Sequence, residues 1–310
     1  MLFRSGINSS TYAATIYGGN YDDGTTVAGS ADTLTGGNGA DYITGGAGND
    51  SIIGGGSADT ILGGSGNDYI AGDAYPDQID GGDGNDSIEG GTNNDSMAGG
   101  NGNDTINGGV NNDTMDGGAN TDTLSFIGAA ATNVDMTIGT ATSTDGTDTF
   151  SNFENITGSI NSDTIVGSTG ANNISSAGGN DSVFAEGGDD TMDGGSSNDS
   201  LDGGAGIDKL TGDAGADRFV FSNTGHSVYA NPDRIMDFTQ GDDTIDLSGL
   251  GFTGIQAGAG SGSILGYTFS DPSNRTYITD SANSFRIILE NTEVSPGTGI
   301  TLAATDFDFV

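Results

Sequence analysis

Glycine pairs return every nine residues from Gly36–Gly37 onward, and the frame runs to residue 125 without a slip. The segments read GGNGADYIT, GGAGNDSII, GGGSADTIL, GGSGNDYIA, GDAYPDQID, GGDGNDSIE, GGTNNDSMA, GGNGNDTIN, GGVNNDTMD and GGANTDTLS. A weaker unit, VAGSADTLT, precedes them at 27–35. With the first glycine as position one, position six is Asp32, Asp41, Asp50, Asp59, Asp68, Asp77, Asp86, Asp95, Asp104, Asp113 and Asp122. Position eight is Leu34, Ile43, Ile52, Ile61, Ile70, Ile79, Ile88, Met97, Ile106, Met115 and Leu124. Eleven consecutive hits at both positions exclude compositional accident. A short fixed period of this kind points to an architecture that stacks like units into one continuous core.

The recurring glycines fall at positions one, two and four. They are Gly36, Gly37 and Gly39; Gly45, Gly46 and Gly48; Gly54 and Gly55; Gly63, Gly64 and Gly66; Gly81, Gly82 and Gly84; Gly90 and Gly91; Gly99, Gly100 and Gly102; and Gly108 and Gly109. A second array runs from 158 to 220 as GSINSDTIV, GSTGANNIS, SAGGNDSVF, AEGGDDTMD, GGSSNDSLD, GGAGIDKLT and GDAGADRFV. Its position-six residues are Asp163, Asp181, Asp190, Asp199, Asp208 and Asp217, with Asn172 as the exception, and its paired glycines include Gly194, Gly195, Gly203, Gly204 and Gly206. The two arrays are out of register, because 117 to 158 is 41 residues, not a multiple of nine.

Composition then removes whole classes of function. The 310 residues hold 44 acids, 39 of them Asp, against 6 bases, for a formal charge of −38. Nucleic-acid binding needs a positive surface and is excluded. Docking on an anionic membrane would need a bridging cation. No apolar run approaches the roughly 18 residues of a membrane helix, which predicts a soluble chain with no membrane insertion. With no cysteine there is neither a disulfide framework nor a thiolate site. The one histidine, His226, cannot furnish a His-Glu-x-x-His zinc motif, and no G-x-S-x-G elbow is present. Aspartate at this density could mark a disordered acidic chain, but such a chain would be aperiodic.

The repeat resembles the RTX, or haemolysin-type calcium-binding, nonapeptide G-G-x-G-x-D-x-U-x, and the likeness covers about half the chain. It implies a parallel β-roll with two nonapeptides per turn and multiple bound Ca2+ ions, held by the position-six aspartates and the glycine turns named above. The physics of each position agrees. Glycine allows positive φ in a tight turn and leaves carbonyls exposed. Calcium takes six to eight oxygens at about 2.3–2.6 Å. One Asp and a few carbonyls fill half that shell. The loop one turn on, about 4.8 Å away, can fill the rest. With two units per turn the partner is 18 residues away, which pairs Asp50 with Asp68, Asp68 with Asp86 and Asp86 with Asp104.

Positions one to six are expected to form the turn and positions seven to nine a short strand, with position eight alone pointing inward. One apolar side chain per unit is too thin a core to offset backbone ordering, and repulsion among the acids adds to the deficit. Calcium is therefore expected to supply much of the folding free energy, leaving the metal-free chain largely unfolded. The first array also alternates. Units at 45, 63, 81 and 99 keep GGxGND, whereas units at 54, 72, 90 and 108 place Ser57, Tyr75, Asn93 and Asn111 at position four. One edge of the roll is thus regular and the other degenerate. The regular edge is expected to bind calcium more tightly, above all relative to the site near residue 77, where Tyr75–Pro76 is hard to accommodate.

Outside the arrays, residues 1–26 read as an irregular cap, with GGNYDDGTT a decayed unit around Asp23. The organisation expected is a cap at 1–26, a first roll at 27–125, a connector at 126–157, a second roll at 158–220 and a C-terminal β domain at 221–310. The fold class is all-β, two parallel β-rolls followed by that β domain. DRIMDFTQGDDTIDLSGL at 233–250 resembles the start of the C-terminal domain of serralysin-type secreted proteases, with Asp237, Asp243 and Asp246 at matching places. The end, Asp306–Phe307–Asp308–Phe309–Val310, is similar to the uncleaved signal of that family, with Asp308 interrupting the apolar run. This resemblance implies export by a type I secretion apparatus, and an extracellular or cell-surface location. The start, MLFRSGINSSTYAATIYGG, has no apolar core of a secretory signal peptide. A cytosol poor in calcium would keep the chain unfolded and exportable.

No feature here reads as catalytic. His226 reads as an ordinary packing residue, a paired-carboxylate glycosidase would lack a deep cleft, and pore formation would lack an apolar segment. A row of Asn49, Asn67, Asn85 and Asn103 would suit an ice-binding face, but Asn is usual at position five of the motif. The reading is a non-enzymatic secreted calcium-binding protein of surface, matrix or adhesion type. The partners expected for it are cell-surface polysaccharide or other acidic surfaces, met through calcium. The alternative is the C-terminal calcium-binding and secretion region of a larger or degenerate extracellular enzyme, such as a protease, lipase or epimerase.

Overall fold

A computed structural model of the chain describes residues 8–9, 15–17, 29, 31–228, 230–257, 260, 264–270, 275–280, 284–290 and 302–309. The expected unit around Asp23 lies outside them. The described residues hold strands and two short 3-10 turns, Ser248–Leu250 and Ala304–Asp306. No helix among them is long and apolar enough to cross a membrane. The chain forms two compact units, one of 1–132 with 138–157, the other of 133–137 with 158–310.

In the first unit successive nonapeptides alternate between two parallel sheets. One sheet contains Thr33–Gly37, Ser51–Gly56, Tyr69–Ala74, Ser87–Thr92, Thr105–Val110, Thr123–Ser125 and Asn155–Thr157. The other contains Tyr42–Ala47, Thr60–Ser65, Gln78–Asp83, Ser96–Asn101, Thr114–Ala119 and Thr147–Ser151, with Thr140–Thr142 antiparallel to the last. Register partners stand 18 residues apart, as in Ile52↔Ile70 and Ile43↔Ile61. Two nonapeptides make one turn, and this is the parallel β-roll that the resemblance implies.

The strands are longer than expected. They cover positions seven to nine and run on through positions one to three of the next unit, as in Tyr42–Ala47, which leaves only positions four to six for the turn. A stack of parallel neighbours gives every extended backbone amide a partner, and glycine at positions one and two removes the side chains that would block the approach. Position eight is not the only residue facing inward. Ile43, Ile52, Ile61, Ile70 and Ile106 are fully buried, but so are the position-six carboxylates, with Asp50, Asp68 and Asp86 at 3% exposure. Burying charge beside the isoleucines is the feature that a hydrophobic count misses.

The second unit has the three-residue strands expected of the motif. Asn133–Asp135, Thr164–Val166, Ser182–Phe184, Ser200–Asp202, Arg218–Val220, Thr244–Asp246 and Phe307–Asp308 form one parallel sheet. Asn173–Ser175, Thr191–Asp193, Lys209–Thr211, Asp233–Ile235 and Arg286–Glu290 form the other. Arg275–Thr279 and Ile264–Ser270 extend that sheet in antiparallel fashion. The core thickens here. Phe221 meets Phe285 edge-on at 5.9 Å, and Phe252 lies 5.8 Å from the same ring. Such aromatic pairs add to plain area burial, so this end holds more apolar packing than the repeats.

Candidate metal centre

Each turn is built by hydrogen bonds to the turns above and below. On the regular edge the position-four N–H donates to the position-three carbonyl one turn on, Gly48 to Ser65 at 2.8 Å and Gly66 to Asp83 at 2.7 Å. Position four is left-handed, with φ 130° at Gly48 and 134° at Gly84. Where glycine is missing the same conformation persists, at Ser57 (φ 83°), Tyr75 (φ 81°), Asn93 (φ 85°) and Asn111 (φ 89°). Asn tolerates this region, whereas a bulky Tyr is strained in it. Position two is also left-handed, from Gly37 (φ 112°) to Gly109 (φ 95°). At Gly64 a Cβ would fall 2.0 Å from the Gly46 carbonyl oxygen.

Positions five and six carry two side-chain ladders that run in opposite senses. Asn67 N–H donates to Asn49 Oδ1 at 3.0 Å, and Asn85 N–H donates to Asn67 Oδ1 at 2.9 Å, both on the surface. Asp50 N–H instead donates to Asp68 Oδ1 at 2.7 Å, Asp68 N–H to Asp86 Oδ1 at 2.8 Å, and Asp86 N–H to Asp104 Oδ1 at 2.8 Å. The 18-residue pairing expected of the aspartates is therefore present. The other edge has the same ladder, from Asp41 through Asp59, Asp77 and Asp95 to Asp113.

The second oxygen of most of these carboxylates has no partner. Oδ2 is buried and unpaired in Asp50, Asp59, Asp68, Asp77, Asp86, Asp95, Asp104, Asp113 and Asp122, and again in Asp181, Asp190, Asp199, Asp208 and Asp217. In the units that begin with glycine it sits against that glycine, whereas Ser176 and Ala185 hold position one in the units of Asp181 and Asp190. A Cβ on Gly45 would lie 2.4 Å from Asp50 Oδ2 and 2.5 Å from the Gly63 carbonyl oxygen, and the same holds at Gly63 for Asp68 Oδ2 and Gly81. Two acceptors thus face one small space from which a side chain is excluded. An unpaired buried carboxylate oxygen is costly unless a cation or proton meets it. Among the described residues no three acidic or histidine side chains are placed to hold a metal ion by themselves. A cation here would be held by a carboxylate and backbone carbonyls, a donor set of hard oxygens that suits Ca2+.

The acidities carry the same signature. Burial pushes Asp68 and Asp104 up to about 6 against the opposing pull of a backbone N–H, with the neighbouring aspartate adding a further rise. It pushes Asp77, Asp113, Asp199 and Asp208 up to about 7, for the same reasons.

Two turns at the start of the second unit differ. Ser159 N–H donates to Asp163 Oδ2 at 2.7 Å and its hydroxyl to Asp163 Oδ1 at 2.9 Å. Ser168 treats Asn172 Oδ1 likewise, at 2.8 and 3.1 Å. Serine replaces glycine at position two in both, and a local donor does what a cation would do elsewhere. Asp163 is therefore set apart from the other aspartates named from the repeat.

The ladder also continues beyond the repeats, through residues that the nine-residue frame does not reach. Asp113 N–H donates to Asp148 Oδ1 at 2.9 Å and Asp122 N–H to Glu154 Oε2 at 2.9 Å. Asp208 N–H donates to Asp233 Oδ1 and Asp217 N–H to Asp243 Oδ1, both at 2.9 Å. The signal was available as an acid–x–apolar triplet: Asp148–Thr149–Phe150, Glu154–Asn155–Ile156, Asp233–Arg234–Ile235 and Asp243–Thr244–Ile245. Residues 126–157, expected only as a connector, supply two of these rungs. Asp243 Oδ2 also accepts from Thr239 N–H at 2.7 Å, so this rung too is locally satisfied.

His226 places Nδ1 3.6 Å from Asp202 Oδ1. The adjacent Ser227 hydroxyl donates to the Arg286 carbonyl and accepts from Asp233 N–H at 2.9 Å. Ser227 is thus fully engaged in holding backbone.

A family model described as the RTX calcium-binding nonapeptide repeat matches residues 28–61, 62–97, 89–124, 157–192 and 193–223, together more than half of the chain. No curated protein matches the chain. Among solved structures, it is similar to the AlgE6R3 subunit of the Azotobacter vinelandii mannuronan C5-epimerase, at 34% identity over 48% of this chain and 78% of that one, with a TM-score of 0.28. It is also similar to the AlgE6R2 subunit of the same enzyme, at 35% identity over 50% of this chain and 91% of that one, with a TM-score of 0.29.

Proposed function

Because the chain belongs to the RTX calcium-binding nonapeptide repeat family, we propose that its direct biochemical act is calcium binding that drives its own folding outside the cell. The observation that carries this reading is the row of buried, unpaired Asp Oδ2 atoms facing position-one glycines. Bound calcium would supply the positive charge that those oxygens lack. The protein's part is to hold the carboxylates in line, through the backbone N–H bonds to Oδ1, and to keep the space beside them free by using glycine.

The chain leaves the cell unfolded through a type I secretion apparatus, with its signal in the C-terminal segment. Asp306 and Phe307 support this order of events. Both are buried in the folded chain, Asp306 accepts from Ala303 N–H at 2.8 Å, and Phe307–Asp308 pairs with Thr244–Asp246. Such a segment is legible to another protein only before folding. The folded protein acts by binding or scaffolding at the cell surface, without catalysis, and calcium bridges it to acidic surfaces or polysaccharide.

Not every turn takes part. Asp163→Ala is expected to leave the calcium stoichiometry unchanged, since Ser159 already satisfies that carboxylate, whereas Asp199→Ala, at a turn with an unpaired Oδ2 against Gly194, lowers it. Isothermal titration of both variants decides. Equal losses would overturn the assignment of the Asp163 turn as metal-free.

The acidities give a pH dependence. Burial lifts the folded-state values of Asp77 and Asp208 from 3.8 to about 7. Between the ordinary and the raised values the folded, metal-free chain binds more protons than the unfolded one, so its stability falls as pH rises through that window. In chelator, more β-structure is expected at about pH 5 than at about pH 7.5. With calcium present, the half-saturating concentration is expected to increase as pH falls through about 7 to 6, because protons and the ion compete for one carboxylate. Circular dichroism and calcium titration at several pH values check both, and a flat profile would contradict the buried-carboxylate account.

A further inference from the structure

Five of the six basic residues of this acidic chain lie between 209 and 286, and four of these share one sheet face. Lys209 and Arg234 are direct partners on adjacent strands. Arg234 in turn faces Ile288, and Ile288 faces Tyr277. Arg286 and Glu290 stand two residues either side of Ile288, and Arg275 two residues before Tyr277, so the two-residue pleat puts all of them on that face. Glu290 pairs with Arg275 at 2.9 Å and with Arg234 at 3.4 Å. The Arg286 guanidinium lies 5.1 Å from the centre of the Tyr277 ring. Lys209 is exposed and makes no ion pair among the described residues. Like charges directly opposite each other on neighbouring strands are destabilising. Four cations surround Glu290, with Asp193 of the next strand at the edge of the same face, and form a positive island on a chain of charge −38.

We propose that this face docks onto the acidic groove of the first unit in a second copy of the chain. That groove, of about 350 Å³, lies on the outer side of the sheet that contains Gln78–Asp83 and Thr114–Ala119. Asp80 and Asp116 line it, both exposed, two strands apart with Ala98 between them. The first unit holds 21 acids and a single base, Arg4; ten of the acids are the buried repeat aspartates, and Asp73, Asp80, Asp83, Glu89 and Asp116 are among those left exposed. Face-to-face pairing of two islands would set cation against cation, so the contact is head-to-tail, and a head-to-tail contact that does not close extends into a chain of copies. A long polyanion is the weaker fit, because it would have to pass Asp193, Asp213 and Asp237, which lie close together on the same unit.

The salt dependence is distinctive. At about 0.01 M salt the screening length is about 30 Å, and the overall charges repel. At about 0.1 M it is about 10 Å, and only the opposed groups act; at about 1 M, near 3 Å, those are screened as well. Sedimentation of the calcium-loaded full chain is therefore expected to show concentration-dependent association that peaks near about 0.1 M salt. Lys209→Glu and Asp80→Lys should each weaken it at least about tenfold. Lys209→Arg should leave it unchanged, and an equimolar mixture of the Lys209→Glu and Asp80→Lys variants should recover hetero-association. Calcium-dependent circular dichroism of each variant, unchanged from the parent, keeps misfolding apart from lost contact. A parent chain that is monomeric at every salt concentration would overturn the proposal. So would association that rises steadily with salt, indifference to both charge reversals, or capture of a soluble polyuronate through Lys209 with no self-association.

Discussion

Withdrawing calcium is expected to convert the chain from β-structure to coil. In chelator the far-UV circular dichroism should be that of a largely unfolded chain. Calcium added toward the millimolar range of extracellular modules should restore the β signal cooperatively, and magnesium should not. The reason is electrostatic. Folding buries a carboxylate in nearly every turn, gives one oxygen a backbone N–H and leaves the other without a partner. The apolar return for each unit is a single side chain such as Ile52 or Ile70, which does not offset both backbone ordering and charge burial. Magnesium demands a small, near-ideal octahedron and gives up its waters reluctantly, whereas calcium accepts an irregular set of carbonyls. A chain already folded in chelator would show that the core holds without the ion, and the argument that export precedes folding would lose its physical basis.

Gly63→Ala is expected to disrupt the first unit, although it adds only one methyl group. That carbon would sit 2.5 Å from Asp68 Oδ2, 2.5 Å from the Gly81 carbonyl oxygen and 3.1 Å from Ile70 Cδ1. Two of these contacts involve atoms fixed by the stack. Overpacking a tight core costs about 1–3 kcal/mol, and here the carboxylate would also be displaced from its line. The calcium concentration needed for folding should rise by about tenfold, the equivalent of about 1.4 kcal/mol. Gly56→Ala is the matched control. Its Cβ would approach nothing closer than Asn38 Oδ1 at 3.4 Å, and other units already place Ala47, Ser65 or Thr92 at that position. Calcium-dependent refolding of the two variants, compared side by side, separates a requirement for space from a general intolerance of alanine. If Gly63→Ala refolds like Gly56→Ala, position one is not the cradle described here.

The repeat frame by itself determined that like units stack into one core, and it placed the apolar residue at position eight and the aspartate at position six. A period survives in one dimension. The resemblance that the frame carries implied the β-roll with two units per turn, and with it the 18-residue spacing between paired aspartates. The frame also separated a regular edge from a degenerate one, because Ser57, Tyr75, Asn93 and Asn111 break a glycine column visible without coordinates. What only the tertiary structure decided concerns which oxygen meets which donor. That Asp68 spends Oδ1 on the Asp50 N–H and leaves Oδ2 bare depends on the stacking of turns in space. Ser159 closing on Asp163 depends on a local turn in which the serine side chain points back into its own loop. The rungs at Asp148, Glu154, Asp233 and Asp243 lie outside the nine-residue frame, and parallel pairing recovers them because a ladder counts neighbours through space while a frame counts them along the chain. Strand length was decided there too, since glycine at positions one and two turns or extends according to whether a neighbouring backbone is close enough to bond.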